Sequence, residues 1–243
     1  MDANEYDIMY RVEDRHWWYG GLRKMIDAAW RRFVRVDEPK LLDLGCGTGA
    51  NLEMMAPSAH PTGIDFSPFA IEKCRLRGMR SLVQASALDL PFAAGQFDAV
   101  FVMDVLYHQS ISDKSVPLKE AYRALKPGGL LFINVPAYQW LYSSHDRATQ
   151  TGKRFTRGEV VGLLRGAGLE PLRATYWNTL LFPPIALVRL WRKRAPVGTS
   201  DLDNYKDSAM SRVFGAILAL ERLAIRCVSM PFGLSVFVVA RKP

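Results

Sequence analysis

The run Leu41-Leu42-Asp43-Leu44-Gly45-Cys46-Gly47-Thr48-Gly49 constrains this chain more than any other stretch. An apolar strand leads into a turn with glycines at alternate positions 45, 47 and 49. Such a turn bends tightly, takes positive φ and lets a ligand approach the backbone, because no Cβ stands in the way. A helix starting just after it would aim free N–H groups into the turn, which favours a carboxylate or phosphate. Gly45-x-Gly47-x-x-Ala50 also satisfies the loose dinucleotide fingerprint G-x-G-x-x-G/A, so the glycines by themselves leave the ligand open. Asp43 narrows the choice, since a carboxylate at the strand's end suits a cationic ligand and repels a pyrophosphate.

Downstream, strand and helix patterns alternate from 40 to 136. The segment Pro61 to Pro68 reads as a second strand ending at Asp65, then a helix with Ser67 as N-cap and Pro68 in its first position. Asp65 falls about 20 residues after Gly45, the separation at which a βαβ unit sets a carboxylate against ribose hydroxyls. The alternative is a loop aspartate bonding its own backbone. Residues 81–85 read as a third strand. Residues 97–106 form a fourth, apolar almost throughout, as when both faces of a parallel sheet are covered. Leu118, Ala121, Tyr122 and Leu125 mark a helix stopped by a turn at 126–129, and residues 130–136 a fifth strand. Thr156-x-x-Glu159 is a capping box. Residues 170–177 and 234–241 read as strands six and seven, an edge hairpin. The pattern predicts an α/β fold with a doubly wound, Rossmann-like sheet.

With 243 residues, 49% of them hydrophobic, the chain is long enough for one domain with a full core. Four segments are expected: an N-terminal helical, aromatic lid at 1–36, the ligand-binding core at 37–177, a helical insertion at 178–233, and the final strand at 234–243. A net charge of +8 permits nucleic acid, anionic lipid or an acidic substrate without selecting among them. Cys46, Cys74 and Cys227 lie far apart with no C-x-x-C pair, which argues against a zinc site or disulfide scaffold and fits a reducing cytoplasm. The acidic start Met1 to Glu5 does not read as a secretory signal, and no run reaches the length of a membrane span.

LLDLGCGTG matches, at every position, the first motif of the class I S-adenosylmethionine-dependent methyltransferases. Leu90-Pro91-Phe92 and Leu125-Lys126-Pro127-Gly128-Gly129 are similar to later motifs of the same family. The chain resembles its type 11, small-molecule group. That resemblance implies seven strands with the last antiparallel, S-adenosylmethionine as cofactor, and transfer of its methyl group. It also implies cofactor contacts from Asp43, Gly45, Cys46, Gly47, Asp65, Phe66, Ser86, Ala87 and Met103. Relatives commonly carry an acid where Ser86 stands, so here the adenine would meet a hydroxyl or backbone groups. Asp89, three residues later, is the less suitable substitute.

On the acceptor side, Tyr107 and His108 follow the fourth strand and should border the reacting methyl; His145, next to Asp146, is the second candidate base. Residues 4–20 hold Tyr6, Tyr10, His16, Trp17, Trp18 and Tyr19 and end at Gly20-Gly21. They form either a lid over cofactor and substrate or a helix packed on the core; an amphipathic helix follows them. In the insertion, the apolar stretch Leu180 to Trp191 precedes Arg192-Lys193-Arg194, and a second helix spans 209–228. These can roof a greasy pocket, rest on a membrane through 180–194, or pack a homodimer. The expected activity is O- or C-methylation of a small, hydrophobic or lipid-like acceptor by a cytoplasmic enzyme. An RNA methyltransferase, a non-catalytic cofactor-binding subunit and a nicotinamide enzyme remain as alternatives.

Overall fold

The computed structural model describes residues 3–192 and 208–243, with His145 and Arg192 described by backbone alone. Two helices come first, α1 (Ala3–Val12) and α2 (Trp17–Phe33). Then follow β1 (Lys40–Leu44), α3 (Ala50–Met55), β2 (His60–Asp65), α4 (Pro68–Leu76), β3 (Leu82–Gln84), β4 (Phe97–Met103), α5 (Ser115–Ala124) and β5 (Leu125–Pro136). After a single 3₁₀ turn come α6 (Ser144–Ala148), α7 (Arg157–Gly166) and β6 (Glu170–Trp177). Helices α8 (Phe182–Arg192) and α9 (Ala209–Cys227) precede the last strand, β7 (Ser235–Arg241).

All seven strands form one sheet in the order β3-β2-β1-β4-β5-β7-β6. The first five pair in parallel and β7 runs antiparallel to both its neighbours, so the fold is the doubly wound, Rossmann-like sheet expected. Strand order reverses between β1 and β4, and open α/β sheets bind ligands beyond the carboxyl ends at such a point. Alternate residues feed two cores. Leu42, Leu44, Val100, Val102 and Ile133 face α5 and α7, where Leu118 and Val160 sit. Leu41, Phe101, Phe132 and Val239 face the other way, against Ile26 and Trp30 of α2 and Leu218 of α9. Two covered faces explain why β1 and β4 are apolar almost without interruption.

Several boundaries differ from the sequence expectation. Helix α2 begins at Trp17 and runs through Gly20-Gly21, which therefore do not end the aromatic segment. A Cβ on Gly21 would run into Leu218, so this glycine serves the close packing of α2 on α9. Strand β4 stops at Met103, because Asp104 turns to a φ of +55°. The turn expected at 126–129 lies inside β5 as a bulge: Phe97 pairs with Leu125 and Ala99 with Leu130. Ser67 does not cap α4 with its side chain; its N–H instead donates to Asp65. In the terminal pair of strands only β6 is an edge, while β7 lies inside the sheet and is buried through Ala240. The capping box of Thr156 and Glu159 forms at the start of α7.

Candidate active site

The parallel strands deliver their carboxyl ends to one cavity of about 1380 Å³, which Gly45, Asp65, Ser86, Asp104 and Pro136 all line. Single-ligand sites usually measure roughly 300–1,000 Å³, so this space suits two ligands side by side. Gly45, Gly47 and Gly49 all adopt left-handed φ, at +78°, +54° and +86°. A side chain at Gly45 would in addition collide with Val105.

Asp43 stands behind this turn, 1% exposed and off the cavity wall, which is formed here by Gly45, Cys46 and Gly47. Neither of its carboxylate oxygens finds a hydrogen-bond donor among the described residues. Burial, and then the charge of Asp65, push its carboxyl up to about 7. A buried carboxylate without partners is costly unless positive charge comes near it, so a cationic ligand at the glycine turn fits this site.

Asp65, at the end of β2, accepts the N–H of Gly47 at 3.0 Å and of Ser67 at 2.9 Å. It lines the cavity, and by accepting the Ser67 N–H it makes the loop-backbone bond of the alternative reading. Burial raises its pKa, and those two bonds pull it part of the way back. Phe66, Ala87 and Met103 line the same region, and Asp89 does not. The Ser86 hydroxyl also lines it and accepts the Leu88 N–H at 3.1 Å.

Helix α1 is clamped across the glycine turn. Glu13 just beyond it bonds Thr48, and the Arg77 guanidinium donates to Glu13 at 2.8 Å and to the Thr48 carbonyl at 3.0 Å. Arg77 also reaches Glu53 and Asp14 and lies 4.9 Å from the centre of the Tyr10 ring. Lys73 pairs with Asp7, and Tyr6 faces Asp65 and Ser67. Sequence reading missed Glu13 and Arg77, for partners 64 residues apart leave no local pattern.

His16, Trp17, Trp18 and Tyr19 line the acceptor half. Trp18 packs tilted on Trp177 at 5.7 Å, and Trp17 meets Phe214 of α9 edge-on at 5.2 Å. Asp104 accepts a bond from Asn134 at 2.8 Å, and Asn134 in turn accepts the Trp177 indole N–H at 2.8 Å. Burial pushes the Asp104 carboxyl up to about 7 against the pull of Asn134 and Arg154. An acid ending an apolar run was the available signal for Asp104; Asn134 left none.

Tyr107 and His108 border the same cavity. Burial raises the Tyr107 phenol and lowers the His108 imidazolium, so His108 is neutral at pH 7. Its Nδ1 lies 2.7 Å from the Ser110 hydroxyl and 3.2 Å from the Ser110 N–H, and the Gln150 side chain also bonds the ring. The His145 side chain lies outside the described residues. Its neighbour Asp146 is committed elsewhere, to Arg154 at 2.7 Å and Arg189 at 3.2 Å, and does not stand ready to orient a base. From the insertion, α8 contributes Leu181 just before it, Ile185 and Val188, and α9 contributes Met210 and Phe214. No helix among the described residues is long and apolar enough to cross a membrane.

The methyltransferase-domain family matches residues 42–133. A ubiquinone biosynthesis O-methyltransferase of Xanthomonas oryzae pv. oryzae is 31% identical over 83% of this chain and 91% of its own length. A human protein named probable tRNA methyltransferase 9B is 34% identical, over 48% of this chain and 25% of its own length. Among solved structures, a chain of the Haloferax volcanii complex between the Trm112 methyltransferase activator and a methyltransferase superposes with a TM-score of 0.63 at 22% identity, covering 98% of both chains. With the glycine turn, the seven-stranded sheet and these similarities together, this chain belongs to the class I S-adenosylmethionine-dependent methyltransferases.

Proposed function

We propose that the enzyme methylates an oxygen of a small acceptor with a large apolar surface. The observation that carries this reading is the single cavity that joins the glycine turn to a wall of Trp17, Trp18, Ile185 and Phe214. Similarity to a ubiquinone biosynthesis O-methyltransferase supports it.

When bound, S-adenosylmethionine supplies an activated methyl group for in-line displacement. Asp65 is the residue suited to its ribose hydroxyls; Phe66, Ser86 and Ala87 flank the adenine region; Cys46, Gly47 and Met103 border the rest, with Asp43 acting through its field. The chain's work is to align the acceptor oxygen, exclude water and accept a proton. Asp104 fits the last task, since a base works best with a pKa near the operating pH. His108, held by Ser110 and by the Gln150 side chain, is a fixed polar edge beside the acceptor and suits its orientation. Tyr107 completes that wall.

Radiolabelled methyl donor, offered with separate lipid, polar-metabolite and RNA fractions, tests the reading. Label in the lipid-soluble fraction is expected. Label in RNA, which the net charge of +8 and the human relative would favour, overturns it. Tight binding of cofactor with no label in any fraction also overturns it, in favour of a non-catalytic subunit. Peripheral membrane contact is part of the proposal. Leu187 and Trp191 of α8 are 71% and 83% exposed and precede Arg192-Lys193-Arg194 in sequence. Cosedimentation with phosphatidylglycerol vesicles should fall at least about fivefold in Trp191→Ala.

A further inference from the structure

One pole of the cavity carries buried charge that methyl transfer does not explain. Asp146 is shared by two guanidiniums: its Oδ1 accepts from Arg154 Nη1 at 2.7 Å and its Oδ2 from Arg189 Nη1 at 3.2 Å. Arg154 is 3% exposed, and Arg189, reaching in from α8, is largely covered. Asp146 also accepts the Ser143 N–H and hydroxyl, so its lone pairs are well used. The cluster therefore holds two positive charges against one negative. Arg154 Nη2 and Arg189 Nη2 make no hydrogen bond among the described residues, and all three charged residues line the cavity. Burial, and then the charge of Arg189, lower the Arg154 pKa to about 10, in keeping with surplus positive charge.

A buried surplus charge is unfavourable until a counter-ion meets it. Asp104 is within electrostatic reach of Arg154, but it bonds Asn134 and is only half ionised near pH 7. A second orphan faces the same space. The Asn178 side chain is fully buried, lines the cavity and finds no partner among the described residues for either its amide nitrogen or its oxygen. Asn178 also holds a left-handed φ of +61°, and such positions persist where surrounding structure enforces them, commonly at ligand sites.

On α8, Ile185 and Val188 line the cavity beside Arg189, so one helix face offers an apolar strip ending in a cation. We propose that the acceptor is an amphipathic acid, whose carboxylate or phosphate pairs with Arg154 and Arg189 while its apolar body lies along Ile185, Val188 and Phe214. This rests on the methyl-transfer reading above and adds the acid. The segment 144–155 places the acid beside the proposed chemistry, because Thr151 bridges to His108 and Gly152 donates to the Tyr107 carbonyl.

Calorimetry on the full chain saturated with S-adenosylhomocysteine tests this with matched ten-carbon probes: decanoate, decyl phosphate and decanol. Decanoate or decyl phosphate should bind at least tenfold more tightly than decanol, and whichever of the two binds better identifies the acid. In Arg189→Gln the advantage should shrink to within threefold with S-adenosylhomocysteine affinity unchanged; Arg189→Lys should keep part of it. Equal binding of acid and alcohol, binding of none of the probes, or an advantage that survives Arg189→Gln overturns the proposal. So does a tenfold loss of S-adenosylhomocysteine affinity in Arg189→Gln, which would assign the arginines to the cofactor's own carboxylate. Failure of S-adenosylhomocysteine to bind the unaltered protein would instead strike at the methyl-transfer reading itself. Should Arg189→Gln fail to fold, Arg154→Lys, which keeps the charge and loses the fork, is measured in its place and should reduce the advantage at least threefold.

Discussion

Asp43 and Asp104 are carboxylates that the fold holds near pKa 7, against 3.8 for an ordinary aspartate. Between about pH 4 and 7 the folded chain thus keeps protons that the unfolded chain releases. Their stabilising contribution is complete below pH 4 and is lost as pH rises through 7. The ligand-free protein should therefore melt lower at pH 8 than at pH 5 on their account. Asp43→Asn should raise the melting temperature at pH 8 by about 2–4 °C for each kcal/mol relieved, with a smaller rise at pH 5 and none below pH 4. The same variant should bind the sulfonium cofactor about tenfold more weakly while affecting the neutral thioether product less, which paired titrations would measure. Asp104→Asn should lower kcat by at least about a hundredfold and remove a limb of the pH–rate profile rising through 7, with KM nearly unchanged. Asp43 and Asp65 were legible because their meaning is local: an acid at a strand end, at a set distance from glycines. The Asp104–Asn134–Trp177 chain was not, since its members come from the turn after β4 and from β5 and β6, which only the sheet brings together.

Among the elements, α1 shows how a helix is held against the glycine turn. Its clamp converges on Arg77, which joins Glu13 and the glycine turn at once. Charged hydrogen bonds of this kind contribute about 1.5–3 kcal/mol each. Arg77→Ala should thus weaken cofactor binding roughly tenfold, mainly through faster release, with Arg77→Lys intermediate; stopped-flow release of S-adenosylhomocysteine measures both. The aromatic composition of residues 4–20 suggested either a lid or core packing. The segment divides, with α1 lying over the turn while Trp17 and Trp18 open α2 and pack toward α9 and β6. Gly20-Gly21 misled because glycine marks chain breaks and close helix contacts alike, and only the position of Leu218 tells which. The 126–129 bulge misled in the same way, since a turn inside a paired strand has the same residues as a turn between elements.

For the molecule as a whole, the alternation of strands and helices was enough to foresee the parallel sheet, because each parallel pair needs a crossover that leaves its own periodic stretch. The way the insertion docks was not foreseeable. Arg32 of α2 donates to the carbonyl of Arg226, 194 residues away, and Arg173 of β6 to that of Val228. Because a ligand of the folded state stabilises the entire cooperative unit, S-adenosylhomocysteine at 100 times its Kd should contribute about 2.7 kcal/mol. That corresponds to a rise of about 5–10 °C in melting temperature for a chain of this size, whereas NADH should produce none.

Trp177 lies two hydrogen bonds from the proposed proton acceptor and in contact with Trp18 on the cavity wall. The enzyme thereby contains its own optical probe: the part of the indole emission that disappears in Trp177→Phe should titrate with a midpoint near pH 7 and change when an acceptor enters, before any product has formed.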